Sequence, residues 1–205
     1  MTTTERMFPT TARGRAKASR REALLAAAAR LFAERGYSGT SIEDLGAAAG
    51  VSGPALYKHF TGKQAMLTAI LLDASEGLYT GGTEVLSRAA GAQALRALVA
   101  FHADFALGNA DVIRVQDRDL EQLADEDRHT VRTLQRRYVE LWVDVLSELT
   151  PDADRAVLRT RAHAVFGLLN STPHSGLALD RATLRRELER MALAALSQPL
   201  PSPPR

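Results

Sequence analysis

The chain has no cysteine, and aromatic residues make up only 5% of its 205 residues. Without a thiol it can form no disulfide framework, no thiolate zinc site and no cysteine nucleophile. Long apolar runs are missing too. Nothing approaches the roughly 18–20 consecutive apolar residues of a membrane-spanning helix, and the longest run near the start is the alanine-rich Leu24–Ala29. The basic-then-apolar order of a secretory signal is not seen, because Arg13–Arg21 reads as helix-entry material. These absences predict a cytoplasmic chain without a membrane partner. No segment sustains the period-2 alternation of β-branched residues that marks a strand.

Several catalytic signatures are also missing. There is no Gly-x-Ser-x-Gly elbow, no Gly-x4-Gly-Lys-[Ser/Thr] loop, no His-Glu-x-x-His and no Gly-x-Gly-x-x-Gly. The five histidines are scattered, with no i, i+4 pair to hold a metal. The expectation is therefore no enzyme, no metal and no cofactor.

What is abundant is alanine, with 35 residues, and arginine, which supplies 23 of the 26 basic side chains. Both are strong helix formers. Net charge is only +2, but residues 1–21 carry +5 and the remainder −3. A basic arm ahead of a mildly acidic body suits a polyanionic partner, since Lys and Arg gain by displacing its counterions. The same composition also fits a solvated leader, and both readings stay open.

Apolar residues at i, i+3, i+4 and i+7 recur along most of the chain and predict an all-α fold. A first helix is expected from Ser19, as N-cap, to Arg35, with Gly36 as its stop. Thr40 and Glu43 have the spacing of a capping box for a second, short helix ended by Gly50. Ser52 would cap a third, with Pro54 tolerated in its first turn. Three short helices with a tight Gly50-Val51 turn between the last two fit a helix-turn-helix, or else a three-helix cap on a bundle. Longer helices follow at about 63–79, 83–90, 92–108, 111–124, 126–149, 153–172 and 180–197, and Gly81-Gly82 reads as a break. The organisation expected is a basic disordered arm at 1–18, a helix-turn-helix domain at 19–64, a helical bundle at 65–197 joined rigidly through the 63–79 helix, and a proline-rich tail at 198–205.

The combination Leu31-Phe32…Gly36-Tyr37, Thr40-Ser41-Ile42, Gly50-Val51-Ser52, Leu56-Tyr57-x-His59-Phe60 and Lys63 resembles the N-terminal domain of the TetR family of transcriptional regulators. The strong resemblance spans about a quarter of the chain, and helix lengths and order carry the rest. It implies an N-terminal DNA-binding domain joined to a larger antiparallel bundle for ligand binding and dimerisation. The partners implied are a double-stranded DNA operator, a small-molecule effector and a second copy of the chain.

Carried onto these residues, the resemblance assigns phosphate contacts to Thr40, Ser41, Tyr57, His59 and Lys63. Hydroxyls and free amides at a helix N-terminus favour a phosphate, and such contacts set register without reading sequence. Base reading falls to Ser52, Gly53, Pro54, Ala55 and Lys58 on the recognition helix. Gly53 departs from the family, which often places Lys or Arg there, so thymine-methyl contacts from Pro54 or Ala55 and a polar contact from Lys58 remain.

In the bundle, the expected pocket draws on Phe101, His102, Phe105, Arg114, Gln116, Arg118, Leu120, Leu134, Tyr138, Trp142, His163, Phe166 and Asn170. The expected dimer surface is a stripe on the last two long helices: Val165, Phe166, Leu168, Leu169, Leu184, Leu188, Met191 and Leu193. Burial within one protomer is the alternative for each. Arg118-Asp119-Leu120, Arg137-Tyr138, Trp142 and Phe166–Ser171 are similar to a subgroup that responds to acyl-CoA thioesters, although Thr172-Pro173-His174 replaces its usual aromatics. The expected function is a repressor that an apolar or acyl-CoA effector releases from DNA; the rivals are a docking bundle and an all-α enzyme.

Overall fold

In the computed structural model, residues 12–174 and 179–198 are described, with side chains from residue 18. Residues 1–11 of the basic arm and 199–205 of the proline-rich tail lie outside them. The described residues form nine α-helices and no strand, and the chain divides into two units, Met1–Ile70 and Leu71–Arg205.

Helix α1 spans Ala12–Arg35. It starts seven residues before Ser19, because Ala12–Ala18 consists largely of good helix formers and Ser19 continues the helix instead of capping it. Leu24, Ala28, Leu31 and Phe32 are buried on one face. Gly36 ends the helix at φ 82°, where its amide bonds to the Phe32 carbonyl at 2.8 Å. Helix α2 is Ile42–Ala48 and α3 is Gly53–Leu56. Gly50, at φ 65°, makes the turn between them. The two helices cross so closely that a Cβ on Gly46 would lie 2.9 Å from the Val51 carbonyl oxygen. Leu45, Leu56 and Phe60 close the small core.

Helix α4 runs without a break from Lys63 to Leu86. The break expected at Gly81-Gly82 does not occur. These glycines serve close packing: a Cβ on Gly81 would stand 2.3 Å from the Phe101 ring, and one on Gly82 2.7 Å from the Tyr138 ring.

In the second unit, α5 (Gly91–Gly108), α6 (Ala110–Asp119), α7 (Asp125–Leu149), α8 (Arg155–Leu169) and α9 (Arg181–Leu196) follow α4. Helix α7 packs on α5 and α8, and α9 packs on α5 and α8. Their shared core includes Leu98, Val99, Trp142, Val143, Leu158, Ala162, Val165, Leu169 and Leu188. Asp154 and Asp180 cap α8 and α9 by accepting bonds from first-turn amides. Glu140 on α7 accepts bonds from Arg155 and Arg159 on α8, at 2.9 Å and 2.6–2.8 Å.

This packing corrects part of the expected dimer stripe. Val165, Leu169 and Leu188 are at most 2% exposed and belong to the chain's own core. Leu168, Leu184 and Leu193 pack against that core from its edge, as does Phe166. Met191 alone of the set is exposed.

Candidate nucleic-acid interface and candidate ligand cavity

The first site is the helix-turn-helix surface. Ser41, not Thr40, is the N-cap of α2, and its capping-box partner is Asp44. The Ser41 hydroxyl and amide both donate to one Asp44 carboxylate oxygen, at 2.6 and 3.0 Å, and the Asp44 amide donates back to the hydroxyl at 3.1 Å. These bonds hold the Asp44 carboxyl below its ordinary range. The box lies one residue later than expected because Thr40 is buried, with its hydroxyl donating to the Gly36 carbonyl at 2.8 Å. Thr40 therefore has no surface hydroxyl to give a phosphate, and the Ser41 proton is committed to a carboxylate.

Lys63 is also more engaged than expected. Its Nζ donates to the carbonyls of Tyr37 and Thr40 at 3.1 and 3.0 Å and lies 4.5 Å from the centre of the Tyr37 ring. Tyr37 in turn donates its hydroxyl to Gln64 at 2.6 Å. Two of the three Lys63 protons thus fasten the α1–α2 turn to the start of α4.

The recognition turn presents more. Tyr57 is 57% exposed. Lys58, Ser52 and Pro54 are exposed, while Gly53, Ala55 and His59 are half-buried. Ser52 occupies the N-cap position of α3 without making a side-chain cap. Gly53 has open space where a side chain would be. A phenol, an ammonium and a hydroxyl within seven residues are donors suited to phosphate oxygens or base edges.

The second site is a cavity of about 200 Å³ in the second unit. His102, Gln116, Tyr138, His163, Phe166 and Asn170, all expected at a pocket, line it together with Ser75, Leu78, Gln135 and Val139. Those last four are not among the residues expected from the sequence, yet Gln135 and Val139 sit one turn before and one residue after Tyr138, and Ser75 and Leu78 share the i, i+3 spacing. Gln135 is tied to Tyr138 by the i, i+3 spacing and to Val139 by the i, i+4 spacing.

Seven of the expected residues take other places, among them Leu120, which is half-buried in the short turn that follows α6. Trp142 is fully buried behind the wall, edge-on to His102, Tyr138 and Phe166. Phe101 packs on Gly81. Phe105 lies tilted against the His102 ring, at 6.1 Å. Leu134 is half-buried on α7 away from the cavity. Arg114 donates to the Pro173 carbonyl at 2.6 Å, and Arg118 pairs with buried Asp119 at 3.1 Å. Both guanidiniums are held by polar partners outside the cavity.

At the cavity wall His102 is 2% exposed and stacks on Phe166 and Tyr138. Its Nδ1 is 3.2 Å from the Tyr138 hydroxyl and its Nε2 3.1 Å from Asn170 Oδ1. One neutral tautomer satisfies both: Tyr138 donates to Nδ1, and Nε2–H donates to Asn170. Burial pushes the imidazole down to about 4, against a smaller upward pull from Asn170. Burial likewise raises the Tyr138 phenol. The ring is therefore neutral at pH 7.

A pH dependence follows. The unfolded chain takes up a proton on His102 as pH falls below about 6.5, whereas the folded chain resists until about 4. The unfolded state then binds more protons, so stability is full above about pH 6.5 and declines on acidification toward pH 4. At roughly 1.4 kcal/mol per pH unit, the loss amounts to about 3 kcal/mol. Urea midpoints of wild type and His102→Gln at pH 7 and pH 4.5 check this, with a smaller drop expected for the variant. Equal drops would mean that other groups carry the acid sensitivity.

Among the described residues no cluster of metal-ligating side chains occurs, and no helix is long and apolar enough to cross a membrane. A helix-turn-helix unit followed by a helical unit with its own cavity defines a class of regulatory protein. Residues 24–70 match the family described as bacterial regulatory proteins, tetR family, and residues 89–174 match the tetracyclin repressor-like C-terminal domain. The chain belongs to the TetR family of bacterial regulators.

The transcriptional repressor KstR2 of Mycolicibacterium smegmatis (strain ATCC 700084 / mc(2)155) is 33% identical over 140 residues, covering 66% of this chain and 67% of that protein. KstR2 of Rhodococcus jostii (strain RHA1) is 32% identical over 132 residues, 63% of this chain and 65% of that one. The chain thus spans about two thirds of the length of these relatives. Among solved structures, the TetR family regulator PfmR from Thermus thermophilus superposes with a TM-score of 0.73 at 27% identity, over 95% of this chain and 100% of that chain. AibR, solved with isovaleryl coenzyme A and operator DNA, has a TM-score of 0.69 at 22% identity over 84% and 97%, a likeness of fold.

Proposed function

We propose that the chain is a ligand-responsive repressor that binds a (pseudo)palindromic operator as a homodimer and is released by an effector of the acyl-CoA class. The observation that carries the reading is the pairing, in one chain, of an exposed recognition turn with a cavity walled by imidazole, amide and phenol groups. Similarity to KstR2, a transcriptional repressor, and to the fold of AibR, solved with a CoA thioester and operator DNA, supports it. Such a regulator works in the cytoplasm, where its operator is. The family is one of regulatory proteins, which disfavours the enzyme reading.

Phosphate contacts fall first to Tyr57 and His59, with the remaining Lys63 proton and the backbone amides near Thr40 and Ser41 in support. Base edges fall to Ser52, Pro54, Ala55 and Lys58, and Gly53 leaves the guanine-reading position of related proteins vacant. The second copy docks on the outer faces of α8 and α9, where Met191 is exposed. A dimer on one face of B-DNA needs its two recognition helices about 34–36 Å apart. An effector that binds better to a different spacing releases the operator by that difference in affinity.

The test is a titration of the chain's own upstream DNA at several salt concentrations. Tyr57→Phe and Lys58→Ala are expected to weaken binding, with Lys58→Ala lowering the salt slope by about 1 if it meets a phosphate and leaving the slope unchanged if it meets a base. No salt-dependent shift by wild type would refute the repressor reading.

A further inference from the structure

Beside the cavity, on the α7–α8 face, lies a second and larger hollow of about 630 Å³. The two share Gln135, Val139 and His163 in their walls. Their electrostatics are opposite in kind. The inner cavity presents serine, histidine, amide and phenol groups and no carboxylate, lysine or arginine. The outer groove carries the guanidiniums of Arg132, Arg136 and Arg159 against one carboxylate, Glu140.

Those guanidiniums are not equally committed. Arg159 is held by Glu140 through bonds of 2.6 and 2.8 Å. Arg132 reaches Glu121, which lies outside the groove lining. Arg136 is exposed and donates only to the neutral Thr133 hydroxyl, at 2.9 Å. Arg132 and Arg136 stand one helical turn apart on α7, a spacing that lets two side chains converge on one anion. Guanidiniums bind phosphate oxygens through paired, charge-assisted hydrogen bonds.

Size adds a second restriction. At roughly 30 Å³ per water-sized group, the inner cavity has room for about six or seven heavy atoms. A short acyl group with its carbonyl fits; an eighteen-carbon chain or a fused ring system does not. Donors and acceptors on His102, Tyr138, Gln116, Gln135 and Asn170 suit a neutral carbonyl, and no lysine or arginine lines the cavity to neutralise a free carboxylate.

We propose that cavity and groove hold the two ends of one ligand: a short, uncharged acyl group inside, and the phosphate-bearing head of its carrier on Arg132 and Arg136 outside. This rests on the ligand-responsive reading above and narrows it to short-chain acyl thioesters of a phosphorylated carrier. Gln135, Val139 and His163 form the neck between the two compartments.

Calorimetric titration of the full-length protein, without DNA, tests this with butyryl-CoA, stearoyl-CoA and the uncharged thioester S-ethyl thiobutyrate. Butyryl-CoA is expected to bind at least ten-fold more tightly than stearoyl-CoA. The double variant Arg132→Gln/Arg136→Gln should weaken butyryl-CoA at least ten-fold while leaving S-ethyl thiobutyrate unchanged. Arg136→Glu, a single exposed substitution, should act in the same direction, which covers the case of a misfolded double variant. Unchanged butyryl-CoA affinity in both variants overturns the proposal, as does equal binding of the long chain. Because no DNA is present, these failures are distinct from failure of the repressor reading, which the operator titration reports by itself.

Discussion

Trp142→Ala is expected to lower the unfolding free energy of the second unit by about 3–5 kcal/mol, the range for deleting a large aromatic from a packed core. Trp142 is fully buried and meets three rings edge-on: His102 at 6.0 Å, Tyr138 at 6.2 Å and Phe166 at 5.0 Å. Edge-to-face contacts of this kind add to burial because a positive ring edge meets a negative face. Removing the indole leaves a void behind the wall that carries His102, Tyr138 and Phe166, so the cavity loses its shape along with the core. Urea unfolding followed by far-UV circular dichroism checks the stability. Trp142→Phe should recover much of the loss, since it retains a ring there. A loss under about 1 kcal/mol for the alanine variant would show that the neighbours close the gap, contrary to the packing described.

The second large effect is expected in the first unit. Gly46→Val should weaken operator binding by about 10- to 100-fold without altering ligand binding. A side chain at position 46 meets backbone on two sides, the Val51 carbonyl oxygen at 2.9 Å and the Gly53 amide at 3.3 Å. Neither can rotate away, so α3 must shift relative to α2. Overpacking of this kind typically costs about 1–3 kcal/mol, which corresponds to roughly that range of affinity. Gly53→Ala provides the contrast, because nothing lies within 4 Å of its added Cβ and the fold should be unaffected. DNA titration of the two variants side by side gives the answer, and wild-type affinity for Gly46→Val would contradict the close crossing.

Helix type and order were legible in the sequence because the apolar period is strong and the Gly36 and Gly50 turns punctuate it. What escaped was what depends on distant partners. Thr40 and Ser41 are equivalent as capping residues locally; burial of Thr40 against the Gly36 carbonyl decides which one caps. Gly81-Gly82 reads as a break until Phe101 and Tyr138, 20 and 56 residues further on, take up the space of the missing side chains. The cavity was half legible. Aromatic and polar residues of α5, α7 and α8 pointed to it, but which of them face inward depends on how three helices rotate about their axes, and a one-dimensional pattern leaves that rotation open. Val165, Leu169 and Leu188 illustrate the same limit, since an apolar stripe looks alike whether it meets its own chain or a second copy.

The single tryptophan has a practical consequence. Excited at the red edge of its absorption, where tyrosine contributes little, the protein emits from one position only, and that position is packed against three rings of the cavity wall. Light from the indole therefore reports on the second unit and is silent about the recognition turn. Any compound that displaces His102, Tyr138 or Phe166 should alter the emission without a label, which makes the wild-type chain its own sensor for screening effectors.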